Sequence, residues 1–162
     1  MFIGIDPGLQ GGIAVINPLG QYCSSSRMPV LKVAGKTAID VKALHAYLDY
    51  WSVVFNDTYI MIEDVHAMPK QGVVSMFTFG YGCGGINACA ALIVEAIVLK
   101  VRPQEWKTHH GLIKKDKEAG LLVIENVYPE AAAECVTPRG KLLDGIVDAI
   151  LIAGYAYDKF NR

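Results

Sequence analysis

Residues 1–8, Met1-Phe2-Ile3-Gly4-Ile5-Asp6-Pro7-Gly8 (MFIGIDPG), decide how the rest of the chain is read. Phe2, Ile3 and Ile5 are bulky and strand-prone, and Pro7 removes a backbone donor where a ladder must stop. A strand that is apolar almost throughout is buried on both faces, which places it in the middle of a sheet. It delivers one carboxylate, Asp6, to its C-terminal end, and Gly8 lets the backbone turn sharply behind it. Taken alone, Asp6 reads equally well as a turn aspartate capping the DPG bend. Other carboxylates converging on the same point decide between the two.

The chain has 162 residues, enough for one domain with a real core. Hydrophobic residues make up 52%, charged residues 19%, and the mean hydropathy is +0.31. Such a composition excludes a disordered or polyelectrolyte protein. It raises the question of a membrane span, but Cys83–Leu99 is interrupted by Gly84, Gly85, Asn87 and Glu95, and Leu142–Tyr157 contains Asp144 and Asp148. Neither offers the roughly 20 apolar residues a span needs; both read as buried helices of a compact domain or a dimer interface. With no basic flank and no long apolar core at the N-terminus, no signal peptide is expected. Cys23, Cys83, Cys89 and Cys135 match no zinc or redox spacing. Free, mostly buried thiols in a reducing cytoplasm are the expectation, which leaves the Asn56-Asp57-Thr58 sequon without consequence.

A net charge of −1 gives no global sign of nucleic acid. Between Lys100 and Glu118, however, six cations (Lys100, Arg102, Lys107, Lys114, Lys115, Lys117) face three acids, with His109 and His110 in the same stretch. Such a run fits phosphate binding, and it equally fits one solvated face.

Beyond Gly8, Gly11–Asn17 and Gln21–Pro29 read as strands joined by a Pro18-Leu19-Gly20 turn, which makes an antiparallel meander with the first strand. The glycines of the GLQGG stretch read as hairpin glycines, because no helix pattern follows them. Gly35-Lys36-Thr37 looks like the end of a phosphate loop, but Val30 stands where the leading glycine should be and no buried strand leads in. Val41, Leu44, Leu48 and Trp51 form a helical stripe with Asp40 as N-cap. Thr58–Glu63 is again a buried-type strand, lying parallel to the first, and it ends in Glu63 with Asp64 beside it. Two adjacent parallel strands then finish in carboxylates at the sheet edge where open α/β sheets place their ligands.

His66–Gly72 reads as a loop, and Val73–Leu99 as a long helix rich in small residues, suited to close packing against another helix, including one from a second subunit. Met76, Phe77, Phe79 and Tyr81 near its start read as core aromatics at helical spacing; the functional reading makes Phe77 and Phe79 a surface on which bases stack. His66 reads as a plain loop histidine. A fifth strand at Val98–Val101, a short helix opened by Pro103 around Trp106, a helix over Lys117–Val127 and a loop over Pro129–Gly140 follow. In the last helix, Lys141–Tyr157, the expected core positions are Leu143, Ile146, Val147, Ile150, Leu151 and Tyr155. Asp144 and Asp148 lie four apart and so share one face near its N-terminus.

Two aspartates one turn apart repel, more so if partly desolvated. Surface acids are the ordinary explanation, but this helix has little room for a polar face. If it packs beside the first and fourth strands, Asp6, Glu63, Asp144 and Asp148 form a cluster that needs cations. Hard divalent ions, Mg²⁺ or Mn²⁺, suit oxygen ligands, and two of them about 3.5–4 Å apart support phosphodiester hydrolysis.

GIDPG (4–8), IED (62–64) and DGIVDAILIA (144–153), in that order, resemble the RuvC family of Holliday junction resolvases, most closely its phage-type branch. HAMPKQGVVSMFTFG (66–80) and PQEWK (103–107) are similar to that branch too, so the resemblance spans nearly the whole chain. It implies a single RNase H-like α/β domain over residues 1–162, with a five-stranded mixed sheet, three strands antiparallel and two parallel, flanked by helices. It implies a homodimer that cuts four-way DNA junctions symmetrically with Mg²⁺ or Mn²⁺, two ions per site, in the cytoplasm of a bacterial host if the gene is a phage's. By motif, Asp6 matches the first-strand acid, Glu63 the fourth-strand acid, and Asp144 and Asp148 the last-helix pair, whose spacing of four is that of the phage-like members and not the three of the bacterial enzymes. Lys107, Lys114, Lys115 and Lys117 are candidate contacts to the DNA backbone. Lys141 is either a contact to the scissile phosphate or a solvated first-turn lysine. Two other readings keep this fold: a nuclease for flaps, forks and other branched DNA, and a catalytically silent DNA-binding module. A sugar-kinase or actin-like ATPase would need a second domain and glycine-rich phosphate loops that this chain is too short to supply.

Overall fold

The computed structural model describes residues 1–54, 57–66 and 72–161. Strands β1 (Phe2–Asp6), β2 (Gly12–Ile16) and β3 (Tyr22–Arg27) form the meander, β4 (Val30–Val33) and β5 (Lys36–Ile39) a separate hairpin, and α1 (Val41–Val54) leads to β6 (Thr58–Glu63). Then come α2 (Val73–Ala91), β7 (Ala96–Val101), α3 (Pro103–His109), α4 (Glu118–Val127), a 3-10 helix at Pro129–Cys135 and α5 (Asp144–Phe160). The main sheet has the order β3-β2-β1-β6-β7. β1–β2 and β2–β3 are antiparallel, whereas β1–β6 and β6–β7 are parallel. This is the RNase H-like mixed sheet, and β1, apolar on both faces, is its middle strand.

Both faces of the sheet are covered, as a doubly buried β1 requires. One core gathers Phe2, Ile16, Met61, Trp106 and Ile150 under α3, α4 and α5; the other gathers Ile3, Ile5, Leu44, Ile62 and Ile86 under α1 and α2. α5 lies directly against the backbone of β1 and β2. A Cβ on Gly4 would stand 2.2 Å from the Ala149 carbonyl oxygen, and one on Gly12 2.4 Å from that of Gly145. The absent side chains set the height of α5 over the sheet, and with it the position of Asp144 and Asp148.

Several sequence expectations need correction. The expected helix over Val73–Leu99 ends at Ala91. The apolar run continues through Ile97 and Val98, which are β-branched and pass to β7, and Glu95 (φ 64°) turns the chain between them. β7 accordingly starts at Ala96, not Val98. The last helix starts at Asp144, not Lys141: Val136 and Leu142 form a β-bridge across a Thr137–Gly140 turn, so part of the expected 129–140 loop is ordered as bridge and 3-10 helix. The β4–β5 hairpin was not expected at all. It turns on Ala34 and Gly35, both with positive φ (48° and 79°), the two-residue turn whose twist suits a hairpin. Leu143 and Tyr155 are half-buried, and Val41 is exposed. Asp40 does cap α1, its Oδ1 accepting the Ala43 N–H at 3.0 Å. Asn56 and most of the expected 66–72 loop lie outside the described residues. All four cysteines are free, Cys89 and Cys135 buried, Cys23 and Cys83 half-buried. Among the described residues, no helix is long and apolar enough to cross a membrane.

Candidate active site

The parallel ladder aligns Ile5 of β1 with Ile62 of β6, so the next residues, Asp6 and Glu63, end neighbouring strands at the same sheet edge. Asp6 pairs across β2 with Gly12, and Gly12 touches Gly145 in the first turn of α5. Asp144, the first residue of that helix, and Asp148, one turn on, thereby overhang the same edge. The N-terminal end of a helix is also where its dipole favours negative charge.

The four acids act on one another electrostatically. Burial, reinforced by Asp148, Glu63 and Asp144 and opposed by Lys107, pushes the Asp6 carboxyl up to about 8. Burial pushes Asp148 up to about 6; the Lys107 and Lys117 ammonium groups oppose the shift, and Glu63 and Asp144 add to it. Glu63 is buried, and its Oε1 accepts the indole N–H of fully buried Trp106 at 3.0 Å. Asp144 forms an ion pair with Lys117, whose own pKa is raised by the contact. Asp64, beside Glu63, pairs instead with exposed His66.

Lys107 Nζ lies 4.9 Å from the Trp106 ring centroid, close to the carboxylates it moderates. Together with Lys115 and Lys117 it lines a cavity of about 160 Å³, of mixed polar and apolar lining, that contains Asp144 and Asp148. Of the other expected DNA contacts, Lys114 is exposed in a left-handed turn (φ 59°) and Lys141 is exposed in the turn before α5; neither lines a cavity with the acids. On the opposite side of Asp6 and Asp144 opens a larger, mainly apolar cavity of about 630 Å³, walled by the 6–11 turn, β5 and α2. Phe79 stands in that wall, 3.4 Å from where a Cβ on Gly8 would be, whereas Phe77 is 76% exposed and does not line the cavity, although Val74 and Tyr81 beside it on α2 do. The structure therefore brings together Asp6, Glu63, Asp144, Asp148, Lys107, Lys115, Lys117 and Phe79, and leaves Phe77, Lys114 and Lys141 outside.

Trp106 as the holder of Glu63, and β5 as a wall of the site, escaped the sequence reading. The first had a faint signal in a lone tryptophan just past a strand; the second had none.

Four carboxylates with hard oxygen donors, mutually repelling and partly desolvated, are a donor set that fits Mg²⁺ or Mn²⁺. Among the described residues, no three histidines, cysteines or carboxylates stand close enough to form a ready-made ligand group. Two of the four acids are engaged by other partners, Glu63 by the indole and Asp144 by Lys117.

No family model matches the sequence, and no curated protein matches it. Solved structures do. A Thermus thermophilus RuvC in complex with a Holliday junction substrate superposes with a TM-score of 0.68 at 17% identity, over 97% of this chain and 92% of that one. A second Thermus thermophilus RuvC structure gives 0.58 at 16%, over 97% and 93%. The yeast mitochondrial Holliday junction resolvase Ydc2 gives 0.57 at 13%, over 98% and 80%. At such identities the likeness is one of fold, and the fold these three share with the chain is the RuvC-like form of the RNase H-like sheet.

Proposed function

We propose that this protein is a metal-dependent, structure-specific endodeoxyribonuclease of the phage-type RuvC branch, which resolves four-way DNA junctions as a homodimer by paired symmetric nicks. The observation that carries the reading is the meeting of Asp6 and Glu63, at the ends of adjacent parallel strands, with Asp144 and Asp148 on α5. The solved neighbours, one of them bound to a Holliday junction substrate, support the choice of DNA.

Asp6, Glu63, Asp144 and Asp148 would hold two Mg²⁺ or Mn²⁺ ions, which when bound supply an activated water and stabilise the leaving 3′ oxygen. Trp106 fixes the rotamer of Glu63, so that this carboxylate is oriented before DNA arrives. Lys107 tempers the repulsion among the acids, and Lys115 and Lys117 face the same cavity, where phosphate oxygens can compete for Lys117 and release Asp144. Phe79 in the cavity wall offers a ring against which a base at the branch can stack.

The dimer reading rests on α2. Val73, Val74, Phe77 and Tyr81 are each at least 76% exposed. Phe77 and Tyr81 lie one turn apart, and Cβ atoms on Gly80 and Gly84 would meet nothing within 4 Å, so a second helix could approach closely there.

The test is cleavage of a synthetic four-way junction beside a linear duplex and a flap, in Mg²⁺ and in EDTA, with Asp6→Asn run in parallel. Metal-dependent paired nicks, lost in the variant while binding persists in EDTA, are expected. Equal cutting of flaps would make it a general branched-DNA nuclease. Binding without cutting in any divalent metal would make it a binding module.

A further inference from the structure

We propose that the β4–β5 hairpin is a DNA-contacting ribbon that enters a groove of the duplex beside the scissile phosphate, an inference that rests on the nuclease reading above. Its first support is placement. Thr37, Ala38 and Ile39 of β5 line the same cavity as Asp6 and Asp144, so a strand whose phosphate reaches those carboxylates passes the hairpin.

The second support is charge. Arg27, Lys32, Lys36 and Lys42 lie within sixteen consecutive residues that contain one acid, Asp40, in a chain whose net charge is −1. Asp40 is engaged as the α1 cap. All four cations are exposed, and none takes part in an ion pair among the described residues. Lys32 donates to the Thr37 hydroxyl at 2.7 Å, a neutral partner that leaves its charge uncompensated, and a local excess of three positive charges without an acidic partner is complementary to a polyanion.

The third support is shape. The register Lys32↔Thr37 and Val33↔Lys36 puts Lys32 and Lys36 on opposite faces of the ribbon, because side chains alternate along a strand. All four residues of β4 are exposed, so this element adds little to the protein's own core. A two-stranded hairpin is marginal by itself. This one is held at its base, where the Asp40 N–H donates to the Pro29 carbonyl at 2.9 Å and Ile39 packs against α2 at Gly82. The result is a braced base with a free tip and cations on both sides. The major groove of B-DNA admits a two-stranded ribbon of this kind.

The test measures binding of the full chain to a four-way junction in EDTA by fluorescence anisotropy across a salt series. The proteins are wild type, Lys32→Ala/Lys36→Ala and Lys32→Arg/Lys36→Arg, with thermal melts to verify folding. Each lost phosphate contact lowers the salt slope by about 0.9, so the alanine pair should bind more weakly at low salt with a slope flatter by about 1.8, and wild type should lose on the order of tenfold more affinity than the pair between 50 and 200 mM salt. The arginine pair should restore both. An unchanged slope in a folded alanine variant that still binds and cuts junctions overturns the ribbon and leaves the nuclease reading standing. A slope unchanged with a shift in oligomeric state assigns the hairpin to a second copy and also overturns it. Failure of wild type to bind any DNA overturns both readings.

Discussion

Replacing Asp6 with asparagine should make the metal-free protein more stable while abolishing cleavage. The Asp6 carboxyl is raised from 3.8 to about 8 by burial and by the three acids around it. A carboxyl raised in the folded state binds its proton more tightly there than in the unfolded chain. Its contribution to stability is therefore full below about pH 4 and is lost as pH rises towards 8. At pH 7 the gap of about 3 units between pH and the unfolded value corresponds to roughly 4 kcal/mol of lost stability, at about 1.4 kcal/mol per unit. That is an upper bound, because the acids can move apart. Asparagine escapes this penalty, but its amide must still find partners in a half-buried site, a cost of about 1–3 kcal/mol. The expected net gain at pH 7 is on the order of 1–3 kcal/mol, or several degrees in Tm for a chain of this size.

Urea denaturation of both proteins in EDTA at pH 5, 7 and 8.5 checks this. The advantage of the variant should grow with pH, and wild type itself should lose stability from pH 5 to 8.5. Millimolar Mg²⁺ should then stabilise wild type more than the variant, since an ion that binds only the folded state adds to its stability. A variant less stable than wild type at every pH, with a difference that does not depend on pH, would refute the claim that Asp6 is held in a repulsive cluster.

Three further outcomes follow from the packing. Gly4→Ala puts a methyl about 2.2 Å from the Ala149 carbonyl oxygen and should cost at least about 3 kcal/mol in a thermal melt, since only movement of α5 relieves it; a cost below 0.5 kcal/mol would mean α5 is not seated as described. Trp106→Phe keeps most of the ring volume but strips buried Glu63 of its donor, for an expected loss of about 1–3 kcal/mol, and a double-mutant cycle with Glu63→Gln should show that the two residues are coupled. If α2 pairs two copies as proposed, Phe77→Glu/Tyr81→Glu should give a folded monomer in sedimentation velocity, with a melting temperature that no longer rises with protein concentration; an intact dimer would place the interface elsewhere.

What the sequence made legible was the part fixed by local pattern. β1 and β6 are unbroken apolar runs closed by an acid, so both their burial and the position of Asp6 and Glu63 follow from the residues themselves. The spacing of Asp144 and Asp148 needs only helical periodicity. The β4–β5 hairpin was hidden because no residue of β4 is buried, so no apolar alternation marks it. The end of α2 was hidden for the opposite reason: residues 86–99 are apolar almost continuously, and helix and strand periods cannot be separated there. The Trp106–Glu63 bond spans 43 residues and the Lys117–Asp144 pair 27, distances over which only the folded chain brings partners together.

These long-range pairs explain how an acid cluster is tolerated at the carboxyl edge of a sheet. Three groups moderate the four carboxylates: Lys107 acts on Asp6 and Asp148, the indole on Glu63, and Lys117 on Asp144 and Asp148. None of the three is itself buried as a charge, so none carries the desolvation cost that a buried ion pair would bring. The lysines can also be given up. Lys117 is exposed on a flexible stem, so on the proposed function an arriving phosphate would draw it from Asp144 at little cost, whereas the neutral Trp106 donor would stay in place and keep Glu63 oriented. The cluster is thus held by one fixed contact and by exposed cations, which on the proposed function would let the same four acids persist without DNA and regroup when it binds.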